Sequence, residues 1–282
     1  MKRLSLLLLL AFILNVPFVM ANDNMDLVGV ENTETVDGDG QGGNTKEDKG
    51  WMAAAGDFFS GFFSSEKEEK LGSVLVVTKL GGYGHIPDEV EERYEPLKFD
   101  FTYLKNPDDE DFVYGLSMKD IVWVIAHGGV RPDGFIFAQT TLFGKAKNEI
   151  HQNYVKENAP YFGPALTIAT ACSSTQVDGM AEAIGGYYIG FPRAVNIASM
   201  VAFGKNAMNH IADKIEAHIQ ENPATTEDEV DNLFTEELVT EARNEGMKNK
   251  ITGSGYIRGI GSGFNSQTPE ILIYPRRGYE EY

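Results

Sequence analysis

Short apolar runs recur along the chain from residue 73: 73–78 (SVLVVT), 99–104 (FDFTYL), 120–126 (DIVWVIA), 165–171 (ALTIATA) and 187–191 (YYIGF). Runs of this length, rich in β-branched residues, predict strands, and the most apolar of them strands covered on both faces. The intervening stretches carry a different period. Pro87 followed by 88–94 predicts a short helix with acids in its first turn, and a second helix follows the Pro-Asp-Asp loop at 107–109. Leu142, Ala146, Ile150 and Tyr154 give helical spacing across 142–158, and 177–184 predicts another helix. Asp133-Gly134 ahead of 135–138 predicts a small hairpin. A long amphipathic helix is expected over 199–219, with Met208, Ile211, Ile215 and Ile219 on one stripe. Thr226 and Glu229 form a capping-box pattern opening a further helix, with Val230, Leu233, Phe234 and Leu238 facing inward, and 270–274 reads as a last strand. Strands alternating with helices imply βαβ units. The expected fold is therefore α/β, a three-layer α/β/α sandwich around a mostly parallel sheet.

The first 72 residues follow other rules. Lys2 and Arg3 precede the apolar run 4–14, which Asn15 and Pro17 end, and Val19-Met20-Ala21 places small residues where a signal peptidase cuts. Residues 1–21 thus read as a secretory signal peptide. The run is too short for the ~20 residues of a membrane span, so no stable span is expected after cleavage. The product would be exported, either secreted or periplasmic. Residues 22–50 are rich in Asp, Glu, Asn and Gly and read as an acidic flexible linker. Residues 51–72 form an apolar, then charged, extension that reads as a helix or strap on the domain surface, a pro-segment or a membrane-touching element, and 73–282 as the folded domain.

Composition narrows the function classes. There are 42 acidic against 24 basic side chains in 282 residues, a formal charge of −18. This balance argues against nucleic acid as a partner. A single cysteine excludes an intrachain disulfide, a thiolate zinc cluster and an iron–sulfur cluster. No cofactor is expected, and no metal: His210 and Asp213 lie close in sequence, but no third ligand accompanies them. The loop Gly81-Gly82-Tyr83-Gly84 lacks the order of a dinucleotide fingerprint, and His127-Gly128-Gly129 has no G-x-S-x-G elbow to serve.

The remaining chemistry lies at two strand ends. One apolar strand runs out into His127-Gly128 and the next into Ala171-Cys172. In parallel α/β sheets the crevice for a ligand opens at the carboxyl ends of the strands, so an imidazole and a thiol are expected side by side. That is the arrangement a cysteine nucleophile needs. The imidazolium and the amino end of the 177–184 helix are expected to lower the thiol pKa. The Gly128 and Cys172 amides are the candidate oxyanion donors. His85, in the Gly-rich loop at the same edge, is a candidate binding residue, while His151, His210 and His218 are placed on helices as structural residues.

An apolar strand to His-Gly, a connecting helix, then an apolar strand to Ala-Cys resembles the caspase–haemoglobinase group of cysteine peptidases, over roughly 73–218. The 45-residue interval from His127 to Cys172 is similar to the caspase interval of about 50. The resemblance implies Cys172 as nucleophile, His127 as general base and acid, Gly128 as oxyanion donor, and a peptide or protein as substrate. In caspases, cations after the first and fifth strands select an acidic substrate residue. Lys79 and Arg193 stand at loosely similar places, although by themselves they read as solvated loop cations. Thr170 stands where caspases have Gln, and Ser173-Ser174-Thr175 replaces the caspase sequence after the cysteine. The match is therefore to a divergent bacterial-type relative. Two alternatives stay open: a non-catalytic binding domain of this fold, and a cysteine-dependent transamidase.

Overall fold

The computed structural model describes residues 69–117, 119–140, 146–160, 162–248, 251 and 267–278. These all belong to one unit, Ser65–Tyr282. The signal peptide, the linker, most of the 51–72 extension and the Gly/Ser-rich stretch 253–263 lie outside the described residues. No helix among those described is long and apolar enough to cross a membrane.

The elements, in chain order, are β1 (Gly72–Thr78), α1 (Ile86–Tyr94), a 3-10 turn (Glu95–Leu97), β2 (Phe99–Lys105), α2 (Asp109–Leu116) and β3 (Ile121–Ile125). There follow β4 (His127–Arg131), β5 (Gly134–Thr140), β6 (Ala146–His151), α3 (Gln152–Asn158), β7 (Leu166–Thr170), α4 (Gly179–Ile184) and β8 (Gly186–Gly190). The chain continues through α5 (Ile197–Glu221), α6 (Glu227–Asp231), α7 (Glu236–Gly246) and β9 (Glu270–Tyr274). Six strands form one sheet in the order β2-β1-β3-β7-β8-β9. All neighbours run parallel except β9, which pairs antiparallel to β8.

Alternation along the strands divides the core in two. Val74, Val76, Ile121, Trp123 and Ile125 face the cluster built by α1, α5, α6 and α7. Leu75, Val77, Val122 and Val124 face the cluster built by α2, α3, α4 and the small sheet β4-β5-β6. Each strand is thus apolar on both sides because each side has its own cover. The connection from β1 to β2 passes through α1, on one face. The connection from β2 back past β1 to β3 passes through α2, on the other. The change of face puts a topological switch point between β1 and β3, where the loops at the carboxyl ends part.

The stretch 142–158 departs from the single helix its spacing predicts. Ala146–His151 is a strand and only Gln152–Asn158 is helical. Positions 146 and 150 satisfy a period of two as well as four, and pairing with β5 decides between them: Phe137 aligns with Ile150 and Ile136 with His151. The Gln152 carboxamide then accepts from the Phe135 N–H at 2.9 Å and fixes the start of α3. His151 therefore ends a strand rather than lying within a helix. Its ring lies 3.0 Å from both Asp109 and Glu149, which raise its pKa. The helix expected after Thr226 is in fact two, α6 and α7, and the capping box is present.

At the amino ends of the strands Arg276 joins three parts of the chain. It pairs with Asp231, donates to Asp120 at 3.0 Å and to the Gly163 carbonyl at 2.9 Å. Asp120 in turn accepts from the Ser73 N–H and hydroxyl at 2.8 and 2.9 Å. Arg276 and Asp120 are each only 15 % exposed. Arg276→Met leaves two half-buried carboxylates without their cation. It is expected to cost about 3 kcal/mol, the low end for breaking such a pair, read as a lower urea midpoint at unchanged m. Adding Asp231→Asn to that variant should recover part of the loss.

Candidate active site

The β3–β7 register aligns Ile125 with Thr170, and His127 and Cys172 each lie two residues beyond that pair. Below them the Trp123 Nε1–H donates to Thr170 Oγ1 at 3.1 Å, and that hydroxyl donates to the Val124 carbonyl at 2.8 Å. Thr170 is thus fully buried as a stitch between the strands. Past the pair, the chain turns into the β4–β5 hairpin, where His127 faces Ala138 and Gly128 faces Phe137. This hairpin presses directly on the cysteine turn. A Cβ at Gly128 would lie 1.9 Å from the Cys172 carbonyl oxygen. Only glycine allows that approach.

His127 and Cys172 line one crevice of about 280 Å³ together with Val195, Asn196, Ile197 and Ala198. The thiol is half-buried and engaged: it accepts from the Val195 N–H at 3.3 Å and donates to the Val195 carbonyl at 3.6 Å. Burial raises its pKa above the ordinary 9.0, against the lowering effect of the backbone N–H groups. Burial also lowers the His127 pKa below 6.5. Near pH 7 the structure therefore holds a neutral thiol beside a neutral imidazole, and no hydrogen bond joins them.

This corrects the expected thiolate–imidazolium pair. The helix expected to assist is also misplaced: α4 begins at Gly179, seven residues beyond Cys172. The helix that does reach the crevice is α5, 25 residues long, whose first turn supplies Ile197 and Ala198. Asn196 caps it, accepting from the Ser199 N–H at 3.3 Å. The positive end of its dipole favours negative charge in the crevice. The amphipathic period alone places the start of this helix at 199 and leaves Val195–Ala198 out of the site, although Asn196 ahead of an amphipathic run is a legible cap.

The turn after the nucleophile candidate is strained. Ser173 has φ 58°, a left-handed conformation that costs a non-glycine residue about 1 kcal/mol. Hydrogen bonds to the loop after β8 hold it there. The Ser173 N–H donates to Arg193 O at 3.2 Å, Thr175 N–H to Phe191 O at 3.2 Å, and Ser174 Oγ accepts from Phe191 N–H at 2.9 Å.

The other candidates are elsewhere. Arg193 contributes its carbonyl to this turn, while its side chain is exposed and lines neither this crevice nor the cavity described next. His85 is exposed at the N-cap position of α1 and also lines neither. Lys79 is not the solvated cation expected of a loop residue. It is 1 % exposed, bonded to the Pro107 carbonyl, and lines a separate cavity at the ends of β1 and β2. His210 faces Glu241 at 3.3 Å, while Asp213 takes Arg93 at 2.7 Å. Among the described residues no three acidic, His or Cys side chains are grouped to hold a metal. In comparison with known proteins, no family model matches the chain and no curated protein matches its sequence.

Proposed function

We propose that this chain is an exported cysteine endopeptidase of caspase-like fold, with Cys172 as nucleophile and His127 as the proton-transfer residue. The observation that carries the reading is the shared crevice of His127 and Cys172, at matching depths beyond adjacent parallel strands, with Gly128 against the Cys172 carbonyl. The neutral resting pair assigns the steps. Thiol and imidazole are uncharged before substrate arrives, so His127 acts as a base, removing the thiol proton as sulfur attacks the scissile carbonyl. The imidazolium then protonates the leaving amine, and water hydrolyses the thioester with His127 again as base. The Gly128 and Cys172 amides are assigned to the oxyanion, and the first turn of α5 adds a favourable field.

The engaged thiol favours a second reading, a binding domain that retains the fold without turnover. One pair of pH profiles separates the two. Iodoacetamide alkylation of free Cys172 should be slow at pH 7 and rise with pH past 9.0, because burial holds the thiol protonated. Hydrolysis of a mixed peptide library should instead be complete in its rise by pH 7, because the base is His127, whose pKa lies below 6.5. No hydrolysis at any pH, with Cys172 intact by mass, rejects the peptidase reading in favour of the binding one.

A further inference from the structure

We propose that the cavity at the carboxyl ends of β1 and β2 is a second ligand site, for a small α-hydroxy carboxylate. It encloses about 190 Å³ and is lined by Thr78, Lys79, Tyr103, Lys105, Asn106 and Gln139, with the loop that follows Lys79 at its side. A water takes about 30 Å³ of liquid volume, so the space suits a molecule of about six non-hydrogen atoms. The cavity adjoins the switch point between β1 and β3, where open α/β sheets take their ligands. Gln139 reaches it from the insert after β3, and the Lys79 N–H donates to Ile125 O at 2.8 Å.

Charge selects an anion. The chain carries 18 more acids than bases, yet the lining holds two lysines and no carboxylate. Lys79 is almost wholly buried, with one donor used on the Pro107 carbonyl and two left over. An ammonium is retained at such a depth only where it gains from a partner. Asp108 and Asp109 act on it through space, but neither lines the cavity.

Hydrogen bonding selects the neighbouring group. Thr78 and Tyr103 satisfy each other at 2.7 Å. Asn106 Oδ1 is buried without a partner, on a residue at φ 55° whose N–H is tied to the Thr78 carbonyl at 2.7 Å. A carboxylate on Lys79 with a hydroxyl donating to Asn106 Oδ1 completes both. A hydroxyl suits the site better than an ammonium, because Lys105 stands at the same cavity. None of this involves Cys172 or His127, and the inference stands apart from the peptidase reading.

Titration calorimetry of the full chain with L-lactate is the test. Saturable binding of one lactate per chain is expected, weaker by about tenfold or more in Lys79→Met. Asn106→Gly keeps the left-handed backbone and removes the side-chain carboxamide with its unpartnered acceptor, so it should weaken lactate several-fold and propionate by less. Affinity should fall as pH rises through about 8, where Lys79 loses its proton. Cys172→Ala should bind as wild type does, whatever its peptidase result. Absence of saturable binding, equal binding by both cavity variants, or equal affinity for propionate and lactate overturns the proposal.

Discussion

Cys172→Ala is expected to reduce peptide hydrolysis to background, a loss of about 10³-fold or more, while leaving the fold in place. The loss follows from removing the atom proposed to form the acyl-enzyme, for which no other described residue in the crevice substitutes. The small structural cost follows from what the thiol touches. It gives up its two hydrogen bonds with the Val195 backbone and the packing of a half-buried sulfur against the core, and losing the SH group should cost about 1 kcal/mol. Thermal unfolding monitored beside activity checks both halves. His127→Ala complements it: a loss of about 10²–10⁴-fold is expected from removing the proposed general base, while alkylation of Cys172 keeps its high-pH rise. A variant at Cys172 that still hydrolyses peptides would remove the nucleophile assignment outright.

Gly128→Ala is expected to cost about 10²-fold in activity without altering any reacting group. The added Cβ would lie 1.9 Å from the Cys172 carbonyl oxygen, 2.9 Å from its carbon and 2.9 Å from Phe135 Cζ. Backbone and a fully buried ring cannot give way as a flexible side chain does. The hairpin must therefore move off the cysteine turn. Displacement by about 1 Å is enough for a 10²-fold loss in rate, and overpacking of this kind costs about 1–3 kcal/mol in stability. Gly129→Ala is the control, because its Cβ would meet Ile136 at an ordinary 3.5 Å. Equal activity of the two variants would show that the Gly128 contact does not position the site.

Much of the architecture was legible because strand burial leaves a mark in sequence. The runs at 73–78, 120–126 and 165–171 are apolar at successive positions, and all three are central strands covered on both faces. The capping box at Thr226 and Glu229 and the hairpin at Asp133-Gly134 were likewise readable, since each is set by residues within a few positions. Legibility failed where distant contacts chose between local options. The 146–151 segment suits a helix by itself and becomes a strand because β5 offers Phe137 and Ile136 as partners. Lys79 looks like any loop cation until the fold closes Pro107 and the β2 end over it.

The candidate site divides in the same way. That an imidazole and a thiol stand at the carboxyl edge of adjacent parallel strands was contained in the sequence, because strand ends and connection lengths are local properties. The protonation of the pair was not. It depends on desolvation and on the Val195 backbone, which meets Cys172 only after β8 and α5 are in place. The sequence determined which groups meet. The tertiary structure decided their charge, through the burial of one by the other elements, and decided which helix end faces them.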